Sequence, residues 1–159
     1  GSDPHSSETL SAEAELLMVF AARAQHVRQQ IAPALARGAW VLSDRFTDSS
    51  HAYQGAGRGL DASWIDDLER RVVGFVPGLT VWLDVPVAVG RARVQGRGGQ
   101  LDRIEREHDG FFQRVHDGFA RRAANEPERF ARIDAAQTLE HVVADVRAAV
   151  QAHLGRACA

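Results

Sequence analysis

The run LTVWLDV at 79–85 constrains the fold more than any other feature of the chain. It is a continuous apolar stretch of β-branched, aromatic and aliphatic residues that stops at Asp84. Pro86 then stands at the first position of a helical pattern, where its missing N–H costs nothing. Continuous rather than alternating hydrophobicity suits a strand covered on both faces, as in a parallel sheet. AWVLS at 39–43 reads the same way and ERFARIDA at 128–135 reads as a third short strand. Helical patterns lie between them, and this alternation predicts an α/β fold with a parallel sheet and helices on both faces.

The helices carry their own start and stop signals. Ser11 is an N-cap candidate with Glu13 and Glu15 in the first turn, where the helix dipole favours negative charge. The apolar stripe Leu16, Phe20, Val27, Ile31 runs on toward Leu35, with a kink or break expected at Pro33 and an end at Gly38. A loop and helix follow over 47–59. Asp61 then caps a helix that places Trp64, Ile65, Leu68 and Val72 on one face. The helix after Pro86 turns arginine-rich and dissolves into glycines. From Asp102 a longer amphipathic helix aligns Ile104, Phe111, Phe112, Val115 and Phe119, and a last helix covers 138–154.

At 159 residues, one domain over 1–159 with an enclosed core is expected, its residues 1–10 forming a linker or partly disordered segment. A formal net charge of −2 carries no bulk basic signature, so nucleic acid is not an expected partner. Cys158 is the single cysteine, which excludes an internal disulfide and fits a reducing, cytoplasmic setting. No apolar run reaches bilayer length, so no membrane partner is expected. The seven histidines show no metal-ligand spacing.

Ligands of open α/β sheets gather outside the carboxyl ends of strands, which singles out Asp44-Arg45. The carboxylate can hold a metal-bound water, and the guanidinium matches phosphate oxygens; an ion pair at a helix start is the plainer alternative. Arg23 lies on the apolar stripe of its helix, and a buried guanidinium needs an anionic partner, either a core carboxylate or a ligand. Phe20 on the same face is a core aromatic or, beside a bound phosphate, a stacking platform for a base. Ser49, Ser50, Tyr53 and Gln54 carry the hydroxyls and amide that can read a base edge, or simply solvate a helix start. Arg91, Arg93 and Arg97 sit in a glycine-rich setting. There they either close over a transferring phosphoryl group or form an exposed basic helix end.

In order and spacing, LLMVFAARAQHV, WVLSDRFTDSSHAYQGAGRGL and LTVWLDVPVAVGRARVQGRGGQLDRIERE closely resemble bacterial thymidylate kinases, from about residue 11 to the end. The resemblance implies a three-layer, P-loop NTPase-like nucleoside monophosphate kinase fold. It implies transfer of the ATP γ-phosphoryl group to dTMP with Mg2+, in a cytoplasmic homodimer. Carried over by position, Arg23 and Arg45 hold the substrate phosphate, and Phe20, Ser50, Tyr53 and Gln54 surround the base. Asp44 places Mg2+ or its waters, and Arg93 and Arg97 fall in a lid at 91–103, giving Asp44, Arg45, Arg93 and Arg97 as the catalytic set.

Several positions depart from the family pattern. The stacking aromatic of many relatives lies four residues before the helix arginine, where this chain has Val19. Phe119 stands where a tyrosine is frequent, Gln95 where an arginine is frequent, and Gly98-Gly99 adds a glycine to the lid. The phosphate-binding run Gly-x-x-x-x-Gly-Lys-Ser/Thr does not occur in these residues. The expectation is therefore an N-terminally incomplete fold that starts about a third of the way into a complete enzyme. By itself such a chain is expected to show very little kinase activity. The alternative from another class is a non-catalytic, truncated nucleotide-binding or interaction module.

Overall fold

A computed structural model describes residues 10–95 and 109–157. Most of the expected 1–10 linker, Arg97 and most of the expected lid, Ile104 and Cys158 lie outside the described residues.

Helix α1 (Ala12–His26) starts as its sequence requires: Ser11 is extended, and its hydroxyl accepts from the Ala14 N–H at 3.2 Å. Leu16 and Phe20 are fully buried, and Val27 and Ile31 continue the stripe through a π-helical turn, Val27–Ile31. The helix passes Pro33 without ending, since Pro33 falls in the first turn of α2 (Ala32–Ala36), directly after the π turn. The wider turn rotates the following side chains off the stripe. Leu35, expected on it, is 46% exposed. Gly38, at φ +74°, reverses the chain in the left-handed conformation that ends helices.

The expected strand at 39–43 is not formed. Those residues make no ladder with any described residue, and Trp40 and Leu42 are 70% and 100% exposed. A strand exists through its hydrogen-bonded neighbour, and apolar content alone does not supply one.

The other two strands are present. β1 (Thr80–Asp84) and β2 (Phe130–Asp134) pair in parallel, with Trp82 opposite Arg132 and Asp84 opposite Asp134. One face of β1 is covered: Trp82 stacks on Phe119 of α6 (Asp109–Asn125), centroids 6.1 Å apart. On the other face Leu83 is half-exposed. The chain closes in α7 (Leu139–Ala157), which packs against β2. No described helix is long and apolar enough to cross a membrane.

Between Phe46 and Gly74 the chain forms α3 (Thr47–Ser50), a π-helical stretch His51–Gly57, α4 (Ala62–Leu68) and a further π turn, Glu69–Val73. Asp61 caps α4 by accepting from the Ser63 N–H at 2.9 Å. Phe46, Ile65 and Val73 meet Leu16, Phe20, Val27 and Ile31 in the main core, with Trp64, Leu68 and Val72 packed against it. A second cluster joins Ala52 to Phe111 and Val115 of α6. The helices approach closely there: a Cβ at Gly118 would meet the Ala56 Cβ at 2.8 Å and the Ala52 Cα at 3.1 Å.

Asp48 locks α3 to the sheet and to α6. Its carboxylate accepts from Arg129 at 2.7 and 2.8 Å, from Arg122 at 2.8 and 3.0 Å and from the Thr80 hydroxyl at 2.8 Å. Burial alone would raise its pKa, but the hydrogen bonds from Arg129 and Arg122 outweigh that and hold it at about 2.

Candidate active site

A cavity of about 440 Å³ opens between α1 and the 45–58 segment. One wall comes from α1, where Glu15, Val19 and Arg23 succeed one another at intervals of four and so share a face. The other wall comes from Ser49, Ser50, Tyr53 and Gln54 on α3 and the π-helical stretch and from Arg45 and Arg58 flanking them, with Phe111 of α6 beside them.

Arg23 projects from the buried side of α1 and donates to the Ser50 hydroxyl at 3.0 Å and to the Phe46 carbonyl at 3.1 Å. Its guanidinium lies over the rings of Phe20 and Phe46, at 5.1 and 5.4 Å. Both hydrogen-bond partners are neutral oxygens, and among the described residues Arg23 forms no ion pair. Burial pushes its pKa down, and the more distant charges of Glu69 and Asp48 oppose that shift. Arg45 follows the open 39–43 segment at φ 65°, a left-handed conformation uncommon for a residue with a Cβ. The Ser43 hydroxyl donates to its carbonyl at 2.9 Å, and its guanidinium lies 4.8 Å from the centre of the Tyr53 ring. Two guanidinium groups thus face one cavity with no described carboxylate paired to either.

The opposite end is polar and mutually satisfied. The Gln54 amide donates to Glu15 at 2.7 Å, and Arg58 pairs with the other Glu15 oxygen at 3.5 Å. Arg58 also lies over the Phe111 ring at 4.7 Å, and Tyr53 meets Phe111 and Phe119 edge to face. Arg114 donates twice to the Gly57 carbonyl, at 3.0 and 3.1 Å, tying down the end of the π-helical stretch. The cavity therefore offers positive charge without a described carboxylate partner at Arg23 and Arg45, and internally paired polar groups beside aromatic rings at Glu15, Gln54 and Arg58. Such a surface fits a ligand with an anionic group joined to a flat polar ring.

Of the residues singled out from the sequence, Arg23, Arg45, Ser49, Ser50, Tyr53 and Gln54 all line this cavity. Phe20 does not: it is 1% exposed and packs beneath the Arg23 guanidinium, while Val19 lines the wall. Asp44 is exposed and outside the lining. Arg93, on α5 (Val87–Gln95), donates to the carbonyls of Ala135 and Ala136 at 2.7 and 3.3 Å, beyond the end of β2. Glu15 and Arg58 were not singled out. The step of four from Glu15 through Val19 to Arg23 is the signal in the sequence that puts Glu15 on this wall.

A family model described as thymidylate kinase matches residues 4–146. The thymidylate kinase of Teredinibacter turnerae is 54% identical over 148 residues, covering 92% of this chain and 72% of that protein. The chain belongs to the thymidylate kinase family. A second thymidylate kinase, from Chromohalobacter salexigens, is 53% identical over 147 residues, 92% of this chain and 69% of that one. The crystal structure of thymidylate kinase from Ehrlichia chaffeensis superposes with a TM-score of 0.70 at 32% identity, over 91% of this chain and 67% of that chain. The fold is accordingly the α/β, P-loop NTPase-like fold of the thymidylate kinases, with β1 and β2 as parallel strands of its sheet.

Proposed function

We propose that the protein is a kinase that transfers the γ-phosphoryl group of ATP to dTMP, with the cavity between α1 and the 45–58 segment as the dTMP site. A phosphate oxygen of dTMP forms the new bond to the γ-phosphorus, the bond from that phosphorus to the β-phosphate oxygen breaks, and dTDP and ADP result. Arg23 and Arg45 grip the dTMP phosphate, and Ser50, Tyr53 and Gln54 face the base. The observation that carries this reading is the pair of guanidinium groups in the cavity wall with only neutral or aromatic partners among the described residues. A bound phosphate supplies the missing counter-charge, through charge-assisted hydrogen bonds about twice as strong as neutral ones.

Phe20 supports the Arg23 guanidinium from below in this reading, and the base packs on Val19, Tyr53 and Phe111. Asp44 is an exposed oxygen donor at the head of the same segment, and this hard ligand suits Mg2+ directly or through water. Mg2+ supplies neutralisation of charge on the transferring phosphoryl group. Arg93 and Arg97 belong to the lid at 91–103 that closes over the phosphates. The same reading places the enzyme in the cytoplasm as a homodimer acting on free nucleotides.

Calorimetric titration with dTMP, dAMP and thymidine tests it. The expected order is dTMP tightest, with thymidine and dAMP each at least about ten-fold weaker, since one lacks the phosphate and the other the base. Thymidine or dAMP binding as tightly as dTMP overturns it.

A further inference from the structure

Behind the cavity, on the side of the π-helical stretch turned toward α4, stand His51, Asp66 and Glu69. One ligating atom from each lies within 4.8 Å of the others. The His51 side chain is 7% exposed, and its Nε2 is buried with no hydrogen-bond partner. That nitrogen points at two carboxylate oxygens, Asp66 Oδ1 at 3.6 Å and Glu69 Oε2 at 3.5 Å. Both separations exceed an ordinary N–H···O hydrogen bond of about 2.7–3.2 Å. They match instead the ligand-to-ligand edge of a tetrahedral ion, about 3.4 Å when each ligand sits about 2.1 Å from the metal. Asp66 and Glu69 are three apart on one helix face, and the fold brings His51 to them from the neighbouring stretch.

We infer that His51, Asp66 and Glu69 form a binding site for a divalent transition metal of the zinc class, separate from the proposed dTMP cavity. One imidazole nitrogen and two carboxylates are a donor set that favours Zn2+ over Mg2+, which prefers all-oxygen ligation. The Asp66 side chain is 56% exposed, which gives the ion an entry path and leaves the fourth position to water. Arg122 approaches the other Glu69 oxygen, Oε1, at 4.0 Å and leaves Oε2 for the metal. The bound ion clips the stretch that carries Tyr53 and Gln54 to α4 and the turn after it.

The test is Zn2+ titration of metal-stripped, tag-free protein against a competing chelator, with the thermal midpoint as a second readout. Wild type is expected to hold one equivalent and to melt higher with Zn2+, and millimolar Mg2+ is expected not to compete. Asp66→Asn, at an exposed position that folding tolerates, is expected to weaken binding at least ten-fold and remove most of the thermal gain. His51→Gln is expected to abolish both. If His51→Gln fails to fold, Asp66→Asn decides alone. Absence of stoichiometric Zn2+ binding, or binding that Asp66→Asn leaves unchanged, overturns the inference: His51 is then the cation of a simple ion cluster, or the zinc sits on other side chains.

Discussion

Arg23 is held against the logic of stability and in favour of a ligand. A half-buried guanidinium bonded only to a hydroxyl and a carbonyl has given up part of its hydration without gaining a counter-ion. Replacing it with Met, similar in length and apolar, is therefore expected to change unfolding free energy by no more than about 1 kcal/mol in chemical denaturation. A loss of about 3 kcal/mol or more would mark Arg23 as a structural cation instead. Asp48 is the opposite case, a buried carboxylate saturated by two arginines and a threonine. Its folded pKa of about 2 lies below the unfolded value of 3.8, so its contribution is complete above about pH 4 and lost as pH falls toward 2. That contribution is on the order of 2 kcal/mol. Acid denaturation of wild type should steepen in this window. Asp48→Asn should lack that steepening while being less stable at neutral pH, where Arg129 and Arg122 keep only Glu126 as a shared carboxylate. An equal acid response in both proteins would show that Asp48 is not the responsible group.

At the scale of elements, the site depends on how closely the π-helical stretch His51–Gly57 approaches α6. Gly118 permits that approach, because a Cβ there would run into Ala56 and the backbone of Ala52. Gly118→Ala is expected to cost about 1–3 kcal/mol in denaturant unfolding despite its favourable helix propensity. A neutral or stabilising effect would mean that the contact yields easily. Much of this architecture was legible in the sequence: the caps at Ser11 and Asp61, the strands around Trp82 and Ile133, and the buried faces of α1 and α4 follow from local periodicity. Leu35 escaped because a π turn shifts the phase of a helix without any marking residue other than the proline after it. The 39–43 strand failed because apolar content says what a segment buries and nothing about whether it has a neighbour. Asp48 with Thr80, Arg122 and Arg129, and His51 with Asp66 and Glu69, are assembled by tertiary contact across long separations, so no local spacing announces them. Arg23, Arg45, Ser50, Tyr53 and Gln54 are legible through the family resemblance as much as through chemistry, and Ser49 through chemistry alone; by chemistry each has a plain surface or core alternative.

Over the whole molecule, order is expected to be unequal. β1 is laddered to β2 and roofed by α6, whereas 39–43 has no ladder partner among the described residues and carries the fully exposed Leu42. Hydrogen exchange should therefore be fast at 39–43 and slow across Val81–Leu83, and comparable protection in both segments would show that 39–43 is paired in solution. The cavity begins just past this open segment, at Arg45, with Arg23 of α1 also in its wall. The most direct test of the account is the dTMP affinity of wild type, Arg23→Met and Arg45→Met, measured by calorimetry at low and at physiological salt. The account predicts a loss of about 10- to 100-fold for each variant, the size of a charge-assisted contact of about 1.5–3 kcal/mol, with binding that weakens as salt rises. Affinity unchanged in both variants would contradict it, because the phosphate would then be held elsewhere.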